Sequence, residues 1–486
     1  MTIKPIISKY FDKYRILPIP VKAALWYTIC SIVQKSLSFL VTPIFTRIMS
    51  KEDYGLYTVY NSWYWVVVVF ATLNLHNGIF NNGMQDYKDS RDRYTSVLQS
   101  AGSAAAVICF FIYLPFRGFI EAHTGLNFFL CILMFLQALF TPALYLWQGR
   151  QRYEYKYRYM IIATLAIAVL RPITSAAAVI LSHNKGAARV VSFAAFEILT
   201  GAFFYIYHIV KGKCIYDKSI WKGAISFAVP LIPHYLSQTF LSHLDKLMID
   251  RFCGRESVAV YEIAYTVAMV TTFINTSINN SFIPWIYGCL EKREVKNISH
   301  ICNRLIIIVG CINLLMTLFA KEIILIVGGA SYIEAAYLIP VLGGSVFLMF
   351  LYSLFGDVEF YYKQTAYTMY GSLTACVING VLNYFFIPLF GHQAAAYTTL
   401  TSYAALAFAH YFFVKRIEEK ECLTNIFNYH FIFNLSAAAI LLSILLRFLY
   451  YDDAIRYGII VFCIAVIFIM RKRIKPYFLL IAKERQ

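Results

Sequence analysis

Charge is scarce in this chain, and acid is scarcer than base. Only 14% of the 486 residues are Asp, Glu, Lys or Arg, with 26 acids against 43 bases. Soluble domains carry about a quarter charged residues, so this composition excludes an ordinary water-soluble protein. The 11 cysteines contain no Cys-x-x-Cys pair, and most fall within apolar runs. They read as small packing residues, not as metal ligands or a disulfide framework. No Gly-x4-Gly-Lys-Ser/Thr phosphate loop is present, so nothing announces nucleotide hydrolysis. Long polar segments are missing too. The widest gaps between apolar runs, at 283–302 and near 77–94, are about 20 residues each. Neither can bury a core of its own, which weighs against a membrane enzyme with an outer catalytic domain.

What is present is apolar length. Hydrophobic residues make up 60% of the chain. About 20 apolar residues cross a bilayer as a helix. Fourteen such spans are predicted, at 23–45, 54–76, 95–116, 126–148, 159–181, 190–210, 224–245, 257–282, 303–327, 331–355, 366–388, 392–414, 429–448 and 454–470. The 331–355 and 392–414 runs are diluted by Gly343-Gly344 and by Thr and Ser. The segment before the first span is basic (Lys4, Lys9, Lys13, Arg15, Lys22), but that span is too long for a cleavable signal. The net charge of +17 follows the positive-inside rule. With a cytoplasmic N-terminus, 30 Lys and Arg fall on inner segments and 11 on outer loops. That bias places both termini inside and supports an even number of spans. It also explains the basic balance without nucleic acid.

An internal repeat divides the chain. A shift of 204 residues aligns the first span with the seventh, matching Gln34/Gln238, Leu37/Leu241, Ser38/Ser242, Leu40/Leu244, Arg47/Arg251, Glu52/Glu256 and Tyr57/Tyr261. Ala187-Ala188 likewise meets Ala394-Ala395 at a shift of 207. Both copies start on the same membrane side. The expected fold is therefore an all-α integral membrane protein with two six-helix lobes, 1–213 and 214–420, and two extra C-terminal helices in 421–486. In transporters built from repeats, the substrate site lies between them near the midplane.

Two cations lie deep inside spans, Lys35 and Arg171. A charge in hydrocarbon costs at least roughly 2.5 kcal/mol on insertion scales, so the pair points to an anionic cargo. Ser31, Lys35, Ser38 and Thr42 share one helical face, and their repeat partners Tyr235, Thr239, Ser242 and Lys246 are also polar. Packing hydroxyls bonded to their own helix explain the Ser and Thr equally well, but packing does not require an ammonium. Thr164, Arg171, Ser175 and Ser182 form another face, and Pro172 predicts a kink beside Arg171. A planar guanidinium suits a phosphate better than an ammonium does.

The sixth span carries a deep acid, Glu197. Counting from the 183–189 loop puts it about 6 Å in depth from Arg171, within reach of two long side chains. The pair is either a structural bridge or a switch in which the acid exchanges Arg171 for a cation. Asp245, at the outer end of the seventh span, is an alternative cation site. The second lobe carries the stripe Ser372, Cys376, Asn379 and Asn383, the set Thr271, Asn275 and Asn279, and His234 between Pro230, Pro233 and the polar stripe. These amides and hydroxyls suit sugar hydroxyls, and equally suit contacts between helices. The run from Tyr153 to Tyr159 alternates Tyr with Glu154, Lys156 and Arg158. It reads as an interfacial belt, or else as an aromatic, basic mouth for a phospho-sugar.

Three segments give the chain its likeness to known proteins. They are Phe45-Thr46-Arg47-Ile48-Met49-Ser50-Lys51-Glu52-Asp53-Tyr54-Gly55-Leu56-Tyr57; Asp245-Lys246-Leu247-Met248-Ile249 with Val260-Tyr261; and Asn383-Tyr384-Phe385-Phe386-Ile387-Pro388 with Gly391 and Ala394-Ala395-Ala396. Over roughly residues 22–420 the chain resembles the Wzx-type polysaccharide transporters of the multidrug/oligosaccharidyl-lipid/polysaccharide (MOP) exporter superfamily. His392-Gln393-Ala394 stands where that family's pattern has a second glycine. The resemblance implies a MATE-like, non-enzymatic flippase of the bacterial inner membrane. It implies an undecaprenyl-diphosphate-linked oligosaccharide as cargo, membrane lipids as surroundings, and polymerase and chain-length proteins of the same pathway as partners. No cofactor is implied beyond H⁺ or Na⁺ coupling. Lys35 and Arg171 would then meet the diphosphate, Ser38, Thr42, His234, Thr239, Asn275 and Asn379 the sugars, and Glu197 or Asp245 the coupling cation. The rivals are a multidrug/cation antiporter of the same superfamily, which would want buried acids instead of Lys35 and Arg171, and a lipid-linked peptidoglycan-precursor flippase.

Overall fold

The computed structural model describes residues 18–462 and 465, and these are helical with no strand among them. The helices are α1 (Ile19–Ile48), α2 (Lys51–Thr72), α3 (Gly78–Asp86), α4 (Arg91–Tyr113), α5 (Arg117–Thr124), α6 (Phe128–Tyr153), α7 (Tyr157–Leu181), α8 (Lys185–Gly212) and α9 (Lys218–Ala228). They continue as α10 (Ile232–Cys253), α11 (Arg255–Glu291), α12 (Val295–Leu318), α13 (Ala320–Val327), α14 (Ile339–Tyr361), α15 (Thr365–Phe390), α16 (Gln393–Lys420) and α17 (Tyr429–Leu445). The basic N-terminal residues Lys4 to Arg15, and residues 463–464 and 466–470 of the predicted fourteenth span, lie outside the described residues.

Ten segments among the described residues are both long and apolar enough to cross a membrane, so the predicted count of fourteen is not reached by that criterion. Helices α2, α10 and α16 are long enough and fail on composition. Much of their polarity faces inward. Thr58, Ser62, Asp245, Lys246, Thr398, Thr399, Ser402 and His410 are all buried. The predicted seventh span is broken by a 3-10 turn at Val229–Leu231 around Pro230. The predicted ninth span divides between α12 and α13, and the tenth begins as a 3-10 segment, Ala330–Leu338. Pro172 lies inside the continuous α7, where it removes one backbone donor.

Short loops end in residues that satisfy the first backbone donors of the next helix. Asn127 accepts from Leu130, Asn184 from Ala187, Asp217 from Ser219 and Ile220, and Asn428 from Phe431. The segment from Phe45 to Tyr57 gains a structural role in the same way. Ser50 caps α2, and Asp53 Oδ1 accepts from the Gly186 backbone N–H at 2.9 Å. Lys185 donates to the Ile48 carbonyl at 2.8 Å. At Gly55 an added Cβ would stand 2.1 Å from the Arg255 carbonyl oxygen, so only glycine allows that approach.

The chain forms two compact units. The first comprises 1–263, 327–329 and 365–402, and the second 264–326, 330–364 and 403–486. The core of the first is built on α2, α4, α6 and α8, with Tyr60, Tyr64, Leu130, Met134 and Val190 buried in one cluster. In the second, α14 is the central helix, buried along most of its length.

Candidate functional site

In the first unit, α7 and α8 run antiparallel across a three-residue turn, which brings two in-span charges to one level. Arg171 donates from Nη1 to Glu197 Oε1 at 2.6 Å. Glu197 Oε2 accepts from Gln137 on α6 at 2.7 Å, and Gln137 Oε1 accepts from the Tyr60 hydroxyl on α2 at 2.9 Å. Gln137 and Tyr60 are fully buried. Four helices are thus tied by one polar chain that ends in a guanidinium 25% exposed. No other side-chain acceptor meets Arg171 among the described residues, and its plane lies 4.6 Å from the Phe193 ring. A guanidinium has five donors, so most of its capacity remains.

Sequence reasoning overlooked a second arginine here. Arg189 was assigned to the loop before the 190–210 span, yet α8 starts at Lys185 and carries it inward. It donates to Ser175 Oγ at 2.7 Å and lies 3.4 Å over Phe45, 4.6 Å over Tyr57 and 6.0 Å from Phe193. Phe193 therefore lies within 6.0 Å of two guanidinium groups.

On α1, Lys35 and Ser38 are exposed on the helix surface and Thr42 is buried. Ser38 and Thr42 donate to the carbonyls of Gln34 and Ser38, so each hydroxyl spends its proton on its own helix. Thr239 and His234 on α10 are half-buried, and the Nδ1 atom of His234 is buried with no partner.

Asp245 sits 3% exposed where α10, α11, α15 and α16 meet. The Tyr261 and Thr399 hydroxyls each donate to its Oδ2 at 2.6 Å, and Asn383 donates to its Oδ1 at 2.6 Å. Asn383 also donates to Asn379 at 3.1 Å and accepts from Thr398. The stripe Ser372, Cys376, Asn379 and Asn383 is accordingly buried along one face of α15. The neighbouring Lys246 turns to Glu262 instead, at 2.6 Å. No basic side chain contacts Asp245 among the described residues. It is a carboxylate held by three neutral donors.

The second unit holds Asn275, buried, with its amide 3.4 Å from the Val346 carbonyl. Thr271 donates to Asn313 at 3.2 Å, and Asn279 to Asp357 at 3.4 Å. Sequence reasoning did not find its fully buried pair, His410 Nδ1 against Glu359 Oε1 at 2.6 Å.

Comparison with known proteins fits this architecture. The model of the polysaccharide biosynthesis protein family matches residues 21–289, and that of the MatE family matches 230–385. An uncharacterized membrane protein of Methanocaldococcus jannaschii is 25% identical over 221 residues, 44% of this chain and 43% of that protein. The chain thus spans less than half the length of the curated relative it matches. Among solved structures, the lipid II flippase MurJ in an inward closed conformation superposes with a TM-score of 0.67 at 15% identity, over 93% of this chain and 100% of that one. An inward-facing MATE-family multidrug transporter gives 0.63 at 12% identity, over 80% and 96%. A MOP transporter from Pyrococcus furiosus gives 0.54 at 12%, over 84% and 96%. Identities this low speak for the fold alone. The family match covers more than half of the chain and agrees with the helical fold, and the chain belongs to the polysaccharide biosynthesis protein family.

Proposed function

We propose that this chain is a flippase for an undecaprenyl-diphosphate-linked oligosaccharide repeat unit. It works by alternating access in the bacterial inner membrane, with both termini cytoplasmic, and serves capsule, O-antigen or exopolysaccharide assembly. The observation that carries this reading is Arg171. It is a cation inside an apolar span, held among the described residues by one side-chain hydrogen bond, to Glu197, with donors left for a phosphate. Lys35 adds a second positive charge for the diphosphate. Ser38, Thr42, His234, Thr239, Asn275 and Asn379 offer polar atoms to sugars.

Glu197 holds Arg171 while cargo is absent. When the diphosphate takes Arg171, the acid loses its cation and becomes readier to bind a proton. Asp245 is the alternative coupling site, because among the described residues its charge is met by neutral donors. That same uncompensated acid favours a second reading, a cation antiporter of the same superfamily.

Glycan export by variants tests the choice. The Lys35→Ala, Arg171→Ala double variant should reach the membrane and lose export, and Arg171→Glu should be worse than Arg171→Ala. Normal export by the double variant refutes the anionic-cargo reading. Export of a cationic dye that survives the double variant but not Asp245→Asn would favour the antiporter.

A further inference from the structure

At one end of the first unit, α2 stops at Thr72, and the chain turns through Leu73 and Asn74, both left-handed at φ 50° and 49°, into α3. Beside this turn the last turns of α6 leave a cavity of about 580 Å³. That volume lies within the roughly 300–1,000 Å³ of small-ligand sites. Trp65, His76, Asn77, Asn81, Tyr145 and Arg152 line it. The cleft is deep. Trp65 is seven residues above the end of α2, about 10 Å at 1.5 Å per residue, whereas Arg152 is one residue from the end of α6.

The lining differs in kind from the two apolar clefts of the second unit, which are walled mainly by Ile, Leu, Met, Phe and small residues. Here three aromatic rings (Trp65, Tyr145 and Tyr153), two exposed side-chain amides and an imidazole surround one space. The rings are held. Trp65 stacks on His243 at 6.4 Å with an 18° tilt, and His76 packs on Tyr145 at 5.1 Å. The Nδ1 atom of His76 is buried and has no partner.

The charges at the mouth are unequal. Arg150 is held by Asp92 and by Glu154 at 2.8 Å, and Lys156 is held by Glu154 at 2.5 Å. Burial alone would raise the Glu154 carboxyl, but hydrogen bonds from Lys156 and Arg150 outweigh it and keep its pKa below the ordinary value. Arg152 forms no ion pair among the described residues. Neighbouring Tyr153 is fixed under Arg91, 4.8 Å from its ring centre. One uncommitted guanidinium therefore guards a cleft of rings and amides.

We infer that this cleft is a loading subsite for the headgroup of a sugar diphosphate lipid. It rests on the flippase reading above and adds where that cargo is first held, on the inner side in the proposed orientation. Arg152 takes a phosphate oxygen at the membrane surface. Trp65 and Tyr145 offer flat apolar faces to a sugar ring, with a polar hydroxyl or N–H at hand. Asn77 and Asn81 bond its hydroxyls, since each amide carries both donor and acceptor.

The test uses the full chain in nanodiscs of zwitterionic lipid. Calorimetric titration compares two probes: a short-chain prenyl diphosphate bearing one N-acetylhexosamine, and the same prenyl diphosphate without sugar. Trp65→Ala and Asn81→Ala should weaken the sugar-bearing probe about tenfold, a loss of one ordinary contact, and leave the bare diphosphate unchanged. Arg152→Gln should weaken both. Trp65→Phe, which keeps a ring, should retain most of the affinity and controls for misfolding. If Trp65→Ala and Asn81→Ala leave the sugar-bearing probe at its wild-type Kd, the cleft is no sugar site. If Arg152→Gln leaves both probes at their wild-type Kd, that arginine holds no phosphate and the subsite is overturned. Loss in Arg171→Ala alone overturns the cleft and leaves the flippase reading standing. A wild-type chain that binds neither probe overturns both.

Discussion

Breaking the Arg171–Glu197 pair offers a quantitative test of what the polar chain in the first unit does. The two side chains are 25% and 12% exposed and meet at 2.6 Å. Two unit charges about 4 Å apart attract by roughly 4 kcal/mol at an effective dielectric of about 20. Much of that offsets desolvation, so the pair's net contribution is small, but removing one partner strands a buried charge at a cost of about 3–5 kcal/mol. Arg171→Met should fall in that range, because Glu197 keeps only Gln137 as a donor. Glu197→Gln should cost about 2 kcal/mol, since the amide oxygen still accepts from Arg171 while the charge and the acceptor for the Gln137 amide are lost. The double variant Arg171→Met, Glu197→Gln should be less unstable than the sum of the two by at least roughly 1.5 kcal/mol. Unfolding free energies from detergent titration followed by circular dichroism measure all three. Additivity within about 0.5 kcal/mol would refute the coupling. Transport by the double variant separates stability from function. A well-folded double variant should be inactive, and wild-type transport would reduce the pair to a structural brace.

Other outcomes follow from individual contacts. Asp245→Asn should keep the fold but abolish any dependence of transport on a Na⁺ or H⁺ gradient, and an unchanged ion response in vesicles would remove Asp245 from coupling. Arg456, only 1% exposed, grips Glu322 at 2.6 and 2.7 Å and the Leu318 carbonyl at 2.9 Å, so Arg456→Ala should destabilise the second unit by about 3–5 kcal/mol. Arg456→Lys should recover only part, lacking the two-pronged fork; equal stability of both variants to wild type would contradict the contact. The depressed pKa of Glu154 stabilises the fold at pH values above its unfolded value of about 4.3, and this is lost as pH falls through the folded pKa. Glu154→Gln should therefore lower the unfolding midpoint at pH 7 and make little difference well below pH 4, and an equal effect at both would be inconsistent with the ion pairs.

Apolar run length, with the charge bias between runs, determined a multi-helix membrane chain without reference to any neighbour. A bilayer tests each helix one at a time, so that information is local. The Arg171–Glu197 contact was legible for the same reason. Two consecutive helices joined by a short turn fix each other's register, and counting residues sets the depth. The buried stripe on α15 was likewise visible in the spacing of Ser372, Cys376, Asn379 and Asn383. Periodicity names a face but not what the face meets. Only the tertiary structure could bring Asp245 to Asn383 and Thr399 across 138 and 154 residues, or Arg456 to Glu322 across 134. It alone decided that α2, α10 and α16 bury polar residues such as Ser62, Asp245 and Ser402 inside the protein. Arg189 shows the same limit, because a cation at a helix start reads as loop until the packing of Phe45, Tyr57 and Phe193 draws it inward. The cleft at Trp65 and Arg152 is lined from α2, α3, the turn between them and α6 together. No local pattern records a gap between two helices that lie some 80 residues apart.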